Sequence, residues 1–421
     1  MTSLWILNHY AITPDMPGGA RHYELAKRLV QKGYSVTILA SSFNHMLRQE
    51  TRLKAGEPFG MEEVDGVKFV WLKTRPYQRN DWRRALNIAQ YTLRAYSQGR
   101  RLPKSNAGIS CPDVIIGSSV HPFAVLIAHR LARRFKVPLI TEIRDLWPQT
   151  LVDFGRYKSR HPLMMALRQL ESYLYKRSEL IITLLSAASG YIQSRGVPPE
   201  KIVWVPNGVD TNLYSMQGKP HVPNNRFDVR YVGSHGTANN LDLLLEAAAL
   251  LRKAGRDAIR FTFVGDGPER PRLIERTVSL GLTNVDFIGA VPRHQVPNAL
   301  SEGSVLAITP PAADIYQFGL SPNKLYEYMA AGKPVLQACN PPNNLVKLSG
   351  CGITTKAGDA QELADAILRL SRMSPAEREA MGLRGRDYVR QHHDWAILAD
   401  RLHQCIQSLT SKKAPELAAR P

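Results

Sequence analysis

Ser321-Pro-Asn-Lys-Leu-Tyr-Glu-Tyr-Met-Ala-Ala-Gly-Lys-Pro-Val335 is the stretch from which the chain is best read. Its residues predict a short helix between two extended segments. Pro322 suits a first helical turn, and Ser321 stands before it as an N-cap. Gly332 ends the helix, and Pro334 blocks its continuation into the apolar Pro334–Ala338 strand. The N-terminus of such a helix offers unpaired N–H groups and the positive end of a dipole. Lys324 adds a cation in the first turn, and Glu327 places a carboxylate one turn further along the same face. Together these groups suit a nucleotide diphosphate and a sugar diol. An ordinary connector helix with a solvated lysine and glutamate would carry the same residues.

At 421 residues the chain is long enough for two or three domains, each with its own core. Met1-Thr-Ser-Leu-Trp-Ile-Leu7 lacks a basic n-region and reads as a first strand, not a signal peptide. The longest uncharged runs, Val114–His129 and Leu180–Ser194, are too short and too polar to span a bilayer. Cys111, Cys339, Cys351 and Cys405 are scattered without metal-ligand spacing and read as reduced thiols. The net charge of +19 is uneven: 30 Lys or Arg oppose 15 Asp or Glu through Val205, and the remainder is nearly balanced. A basic first half favours an anionic surface or ligand.

The expected elements follow in order. A strand at 4–10 leads to the loop Thr13–Gly19 and a helix at 20–31; a second strand occupies 34–40. This opening suits a parallel doubly wound sheet, with Gly18 and Gly19 letting a ligand approach the backbone. Phe43–Gly60 reads as irregular, and Val64–Thr74 as a hairpin about Asp65-Gly66. Lys73–Lys104 carries nine basic residues against Asp81 alone. Within it Trp82, Leu86, Ala89, Leu93 and Tyr96 recur at helical spacing, flanked by Arg79, Arg83 and Arg84. That stripe is expected to pack into the core, while the excess charge draws the domain to an anionic membrane. His121, Glu142 and Asp145 fall at strand ends, the ligand-binding edge of an open parallel sheet. After the turn Pro206–Asp210 and a polar linker, a second strand–helix series begins at residue 228. Its glycine loops are Gly233-Ser-His-Gly236 and Gly265-Asp-Gly-Pro268.

Gly18-Gly19 with Tyr23, His121, Val205-Pro-Asn-Gly-Val-Asp210, the two later glycine loops, and Ser321-Pro-Asn-Lys…Glu327…Gly332-Lys-Pro334 form an ordered set. In this set nearly the whole chain resembles family 4 of the retaining, nucleotide-sugar-dependent glycosyltransferases. Glu142-Ile-Arg-Asp-Leu-Trp-Pro148 looks like the subgroup acting in bacterial surface polysaccharide assembly, often with N-acetylated donors. The resemblance implies an α/β architecture of the GT-B type: two Rossmann-like, doubly wound parallel-sheet domains facing across a cleft. The expected boundaries are 1–205 for the acceptor domain, 206–227 for the linker and 228–390 for the nucleotide-sugar domain. A helix at 391–410 would cross back to the first domain, followed by a tail at 411–421.

The resemblance assigns Glu327 to the ribose hydroxyls. Gly18, Gly19, Asn207, Ser234, Gly236, Ser321, Asn323, Lys324 and Leu325 join it in binding the donor. His121, with Glu142 and Asp145, would serve the reacting sugar and the acceptor hydroxyl. Arg79, Trp82, Arg83 and Arg84 would face membrane or acceptor. No cofactor and no metal is expected; amides and a cation would stabilise the leaving group. The donor would be a nucleotide sugar, most simply UDP-linked, and the acceptor a polyprenyl-diphosphate-linked saccharide. The protein would act in the cytoplasm, peripherally bound to the inner face of the cell membrane, with no nucleic-acid partner. Two departures stand out. Gly319 occupies the place of an acid that the family often pairs with Glu327, and Thr237–Asp242 lacks the family's usual Arg and Lys. Lys324, with Arg270 or Arg272, would then meet the diphosphate charge. The rival readings are a GT-B-type sugar-nucleotide epimerase and a basic nucleic-acid-binding protein.

Overall fold

The computed structural model describes residues 1–16, 18–79, 81–105, 108–153, 155, 157–215 and 227–411. The chain forms two compact units. One is Met1–Pro206 together with Trp395–Pro421, and the other is Asn207–Asp394. Part of the expected linker, 216–226, and the expected tail from 412 onward lie outside the described residues.

In the first unit the strands are β1 Ser3–Leu7, β2 Ser35–Ser41, β3 Phe59–Val64, β4 Val67–Leu72, β5 Val114–Ser118, β6 Leu139–Ile143, β7 Leu180–Thr183 and β8 Ile202–Trp204. They form one sheet in the order β8-β7-β6-β5-β1-β2-β4-β3. Every pair is parallel except the hairpin β3–β4. The order reverses direction beside β1, the position at which open α/β sheets gather their ligand loops. The long helices are α1 Arg21–Gln31, α2 Trp82–Arg101, α3 Pro122–Phe135 and α4 Pro162–Lys176. The stretch after β2 is not wholly irregular: Phe43–Asn44 pairs with Gln49–Glu50, and Phe43 is buried.

In the second unit β9 Phe227–Val232, β10 Ile259–Val264, β11 Val285–Ile288, β12 Val305–Ile308, β13 Val335–Gln337 and β14 Gly352–Thr354 form an all-parallel sheet. Its order is β11-β10-β9-β12-β13-β14. Its longer helices are α5 Asp242–Lys253, α6 Arg270–Ser279, α7 Asn323–Ala330, α8 Ala360–Arg372 and α9 Pro375–His392. Asn207–Thr211 is built into this unit, not left as a tether. Val209 bridges Asp394, and the Thr211 hydroxyl donates to the Asp394 carboxylate at 2.6 Å.

The last helix, α10 Trp395–Thr410, belongs to the first unit. Trp395, Leu398, Leu402 and Ile406 recur at three- and four-residue spacing and enter one apolar core with Leu25 and Leu29 of α1. Tyr34 Oη and His403 Nδ1 meet at 2.7 Å at its edge.

Beneath the Gly18–Gly19 loop lies a buried charged cluster. Arg21 Nε donates to Glu142 Oε1 at 2.8 Å, and His22 Nε2 to Glu142 Oε2 at 2.6 Å. Ser118 Oγ donates to the same carboxylate at 2.7 Å. The Arg21 guanidinium also donates to the carbonyls of Val205 and Pro206. Burial pushes the Glu142 carboxyl up, but His22 and Arg21 outweigh it and hold the group well below its ordinary value. Burial depresses His22, against the pull of Glu142. Removing one member strands the other charge, at a typical cost of about 3–5 kcal/mol. Glu142→Gln is therefore expected to lose stability of that order in urea unfolding; full stability with lost activity would restore Glu142 to a chemical role.

Candidate functional site

The site in the second unit is built from three strand-end loops. Gly233–Gly236 follows β9, Gly265–Pro268 follows β10, and Ser321–Pro322 leads into α7. The first two loops touch backbone to backbone. His235 N–H donates to Asp266 O at 2.8 Å, and Glu269 N–H to His235 O at 3.0 Å. A Cβ on Gly265, at φ +140°, would stand 2.0 Å from Gly233 O, so only glycine fits there. Helix α7 is fastened to the same edge by Tyr328, whose hydroxyl accepts from Val232 N–H at 2.7 Å and donates to Val232 O at 2.9 Å.

Lys324 reaches from the first turn of α7 under the Gly233 loop. Its ammonium donates to Tyr231 Oη at 2.7 Å and Asn239 Oδ1 at 2.5 Å, and lies 4.7 Å from the centre of the Tyr231 ring. Tyr231 Oη and Asn239 Nδ2 each donate to Ser234 O at 2.7 Å, which locks the loop around the lysine. Neither direct oxygen partner carries a charge, and among the described residues no carboxylate forms a salt bridge with Lys324. Burial lowers its pKa to about 8, with Glu327 opposing the shift. Asn239 thus fills part of the stretch where the sequence lacks the usual basic pair. Gly319, where the family often has an acid, sits at φ +113°, a conformation disfavouring a side chain.

Glu327 lies one turn beyond Lys324. Burial raises its carboxyl, against the pull of Arg293 and Lys324. Its carboxylate has no hydrogen-bonding partner among the described residues, and the residue is partly exposed. The N–H of Leu325 returns to Pro322 O at 3.1 Å, and the Leu325 side chain is in the core. The helix start therefore offers the N–H groups of Asn323 and Lys324.

Several expectations change here. Ser321 does not cap α7; Pro322 holds the cap position without a side-chain bond. Ser321 Oγ instead accepts from Asn207 N–H at 3.0 Å and meets Tyr326 Oη at 2.9 Å. Asn207, buried, donates through Nδ2 to Ser321 O at 2.6 Å and so braces the loop. Arg272 is committed to Asp242 and Glu269. Arg270 has no salt bridge among the described residues and remains the second cation at this edge.

In the first unit Gly18, Gly19 and Asp145 line a cavity of about 370 Å³ with Tyr10, Arg84 and Arg144. Asp145 is exposed to this space but ringed by protein; burial raises its carboxyl, and Arg144 opposes the shift. Glu142 does not reach the cavity, being consumed by the cluster described above. His121 is also occupied. Its Nδ1 accepts from Ala124 N–H at 3.2 Å as the cap of α3, which places the proton on Nε2. Nε2 then donates to His9 Nδ1 at 2.8 Å. Burial and Arg84 hold His121 down to about 3, so the ring is neutral. His9 is stacked 4.3 Å from both the Tyr10 and Tyr91 rings. No spacing signal in the sequence singled out His9, Tyr231 or Asn239, because their contacts with His121 and Lys324 join residues distant in the chain.

Most of the expected stripe on α2 faces away from the core, although Tyr96 packs against it. The buried face is Asn87, Tyr91, Ala95 and Gly99. Trp82 and Leu93 are 61 % and 71 % exposed, and Leu86 is exposed as well. Arg79 and Arg83 are exposed beside them, with the Arg83 guanidinium 5.6 Å from the Trp82 ring centre. Gly99 explains the packing: its missing side chain admits Leu131, which would stand 2.7 Å from a Cβ there. Among the described residues no helix is long and apolar enough to cross a membrane, and no three His, Cys, Asp or Glu are grouped to hold a metal ion.

Residues 18–208 match the model of the glycosyl transferase 4-like domain, and residues 226–373 that of glycosyl transferases group 1. The chain is a glycosyltransferase. A putative colanic acid biosynthesis glycosyltransferase of Salmonella typhimurium is 26 % identical over 418 residues, 96 % of each chain. Among solved structures, sucrose-phosphate synthase from Thermosynechococcus elongatus superposes with a TM-score of 0.73 at 16 % identity, covering 98 % of this chain and 100 % of that one. Anabaena HepE in complex with UDP-glucose gives 0.67 at 16 % identity, covering 97 % and 100 %. These structural likenesses establish the GT-B fold of the transferase.

Charging Lys324 in its desolvated seat opposes folding, and an anion would reverse that penalty. Lys324→Met is expected to leave the thermal midpoint of the free transferase unchanged or higher while abolishing the upward shift caused by UDP. A midpoint lowered by several degrees with the UDP shift retained would make Lys324 a structural residue.

Proposed function

We propose that the protein transfers a sugar, with retention at its anomeric carbon, from a nucleotide diphosphate to a lipid-linked saccharide during bacterial cell-surface polysaccharide synthesis. The observation that carries this reading is the pairing of Lys324 and Glu327 on α7. A buried ammonium held by neutral oxygens seeks an anion, and an unpaired carboxylate one turn away seeks hydroxyl donors. A nucleotide diphosphate supplies both. The colanic acid relative supports the pathway class, and the UDP-glucose complex of the Anabaena protein supports a UDP-linked donor.

The chemistry asked of the donor residues is electrostatic. The bond from the anomeric carbon to the diphosphate oxygen breaks with its electron pair leaving on the phosphate. Lys324, Arg270 and the N–H groups of Asn323 and Lys324 stabilise that charge without a metal ion. Ser234 and Gly236 provide the close backbone approach. The acceptor hydroxyl attacks from the face the phosphate leaves, and its proton passes to the departing phosphate oxygen. Asp145 orients that hydroxyl, and His121 supports the first-unit edge through the α3 cap. The protein rests peripherally on the cytoplasmic membrane face, with the exposed apolar stripe of α2 in the bilayer interface and Arg79 and Arg83 at the headgroups.

A saturating UDP-sugar or GDP-sugar is expected to stabilise the protein by about 2–3 kcal/mol at a hundredfold excess over Kd. Failure of UDP, GDP and all their common sugars to raise the thermal midpoint defeats the donor reading. Asp145→Asn should retain that ligand shift while losing transfer to lipid extract; unchanged turnover would remove Asp145 from the reaction.

A further inference from the structure

Asp145 aside, the side chains lining the 370 Å³ cavity of the first unit have no ligand assigned to them above. Its size is that of a small-molecule site. Two guanidiniums open on it, from elements far apart in sequence. Arg144 follows β6; its backbone N–H is tied to Ser119 Oγ at 3.2 Å, while its side chain forms no ion pair among the described residues. Arg84 enters from α2, with Nε 3.4 Å from Tyr10 Oη and its guanidinium 5.9 Å from the Tyr10 ring centre. Its positive field helps to keep His9, His45 and His121 neutral. A third lining guanidinium, Arg52, is already paired with Asp15 and Glu62. Against Arg84 and Arg144 stands one lining carboxylate, Asp145, so the cavity keeps a positive balance. Tyr10 and Trp147 give it aromatic walls suited to a sugar ring.

Arg84 sits on the helix whose outward face bears Trp82, Leu86 and Leu93. One helix thus carries an apolar surface for lipid and a cation for the cavity within three residues of each other. We propose that this cavity seats the phosphate of a lipid-phosphate-linked acceptor, gripped by Arg84 and Arg144, with the adjoining sugar against Tyr10 and Trp147. Guanidinium pairs suit this role because each presents parallel N–H donors to two phosphate oxygens. The proposal rests on the transferase reading above and adds which group of the acceptor is recognised and by which residues.

The test is run with saturating UDP, so that the proposed diphosphate site at Lys324 is already filled. The full-length protein is titrated by calorimetry with a short-chain, water-soluble prenyl diphosphate and, separately, with inorganic pyrophosphate. The prenyl diphosphate is expected to bind more tightly than pyrophosphate. Arg84→Gln and Arg144→Gln should each weaken it about tenfold or more, the usual worth of a charged hydrogen-bond pair. Arg84→Lys should recover part of the loss. Equal binding by the parent and both glutamine variants overturns the proposal. So does pyrophosphate binding as tightly as the prenyl compound, which would mark an anion site without lipid recognition. UDP titration of the same variants keeps the two readings apart: retained UDP binding shows an intact fold and donor site whatever the cavity does.

Discussion

A lysine ammonium held in a protein pocket by two neutral oxygens and an aromatic ring is the constraint on which the second unit turns. Lys324 loses hydration and gains no carboxylate in direct contact, so its charged form is disfavoured. The surroundings follow from that requirement. Tyr231 and Asn239 must present oxygens to the ammonium while both donate to Ser234 O, which fixes the glycine loop. Tyr328 must hold α7 at the end of β9 so that the lysine reaches under that loop. Gly265 must lack a side chain so that the neighbouring loop closes against it. An acid at position 319 would need a backbone that a glutamate resists, which gives the missing family carboxylate a conformational reason.

The first unit solves a different electrostatic problem. There the buried carboxylate of Glu142 is fully answered by Arg21, His22 and Ser118, and its work is structural. It gathers the start of α1, the ends of β5 and β6 and the Val205–Pro206 carbonyls at one sheet edge. Asp145, three residues later, is left open to the cavity. Two acids in one short motif therefore have opposite fates, decided by which side chains the fold brings to each. The exposed face of α2 is likewise set by packing: Gly99 lets α2 lie close to Leu131, and that choice of face turns Trp82 and Leu93 outward.

Most of the architecture was legible in the sequence, because alternating apolar strands and capped helices carry local signals. The strands from Ser3 to Thr354 and the glycine loops fell within a few residues of their expected places. Lys324 and Glu327 were legible because helix geometry fixes their spacing. What could not be read was pairing across the fold. Glu142 and Asp145 look alike in a chain, and only the arrival of Arg21 separates them. His121 stood at the right edge, but the partner that occupies its ring, His9, is brought from another strand end. The α2 stripe misled because helical periodicity reports two faces and does not say which one meets the sheet. Arg272 looked available until Asp242, on another helix, claimed it.

The central claim is that Lys324 waits, partly uncharged, for a donor diphosphate. Calorimetry of a UDP-sugar at pH 8, repeated in buffers of different ionisation enthalpy, tests it directly. The donor is a diphosphate diester and does not itself titrate there. With Lys324 near pKa 8 in the free protein, a bound anion raises that value and draws in about half a proton per site. Uptake of that size, lost in Lys324→Met, is the predicted result. Donor binding with no proton uptake, or with release, would contradict the account.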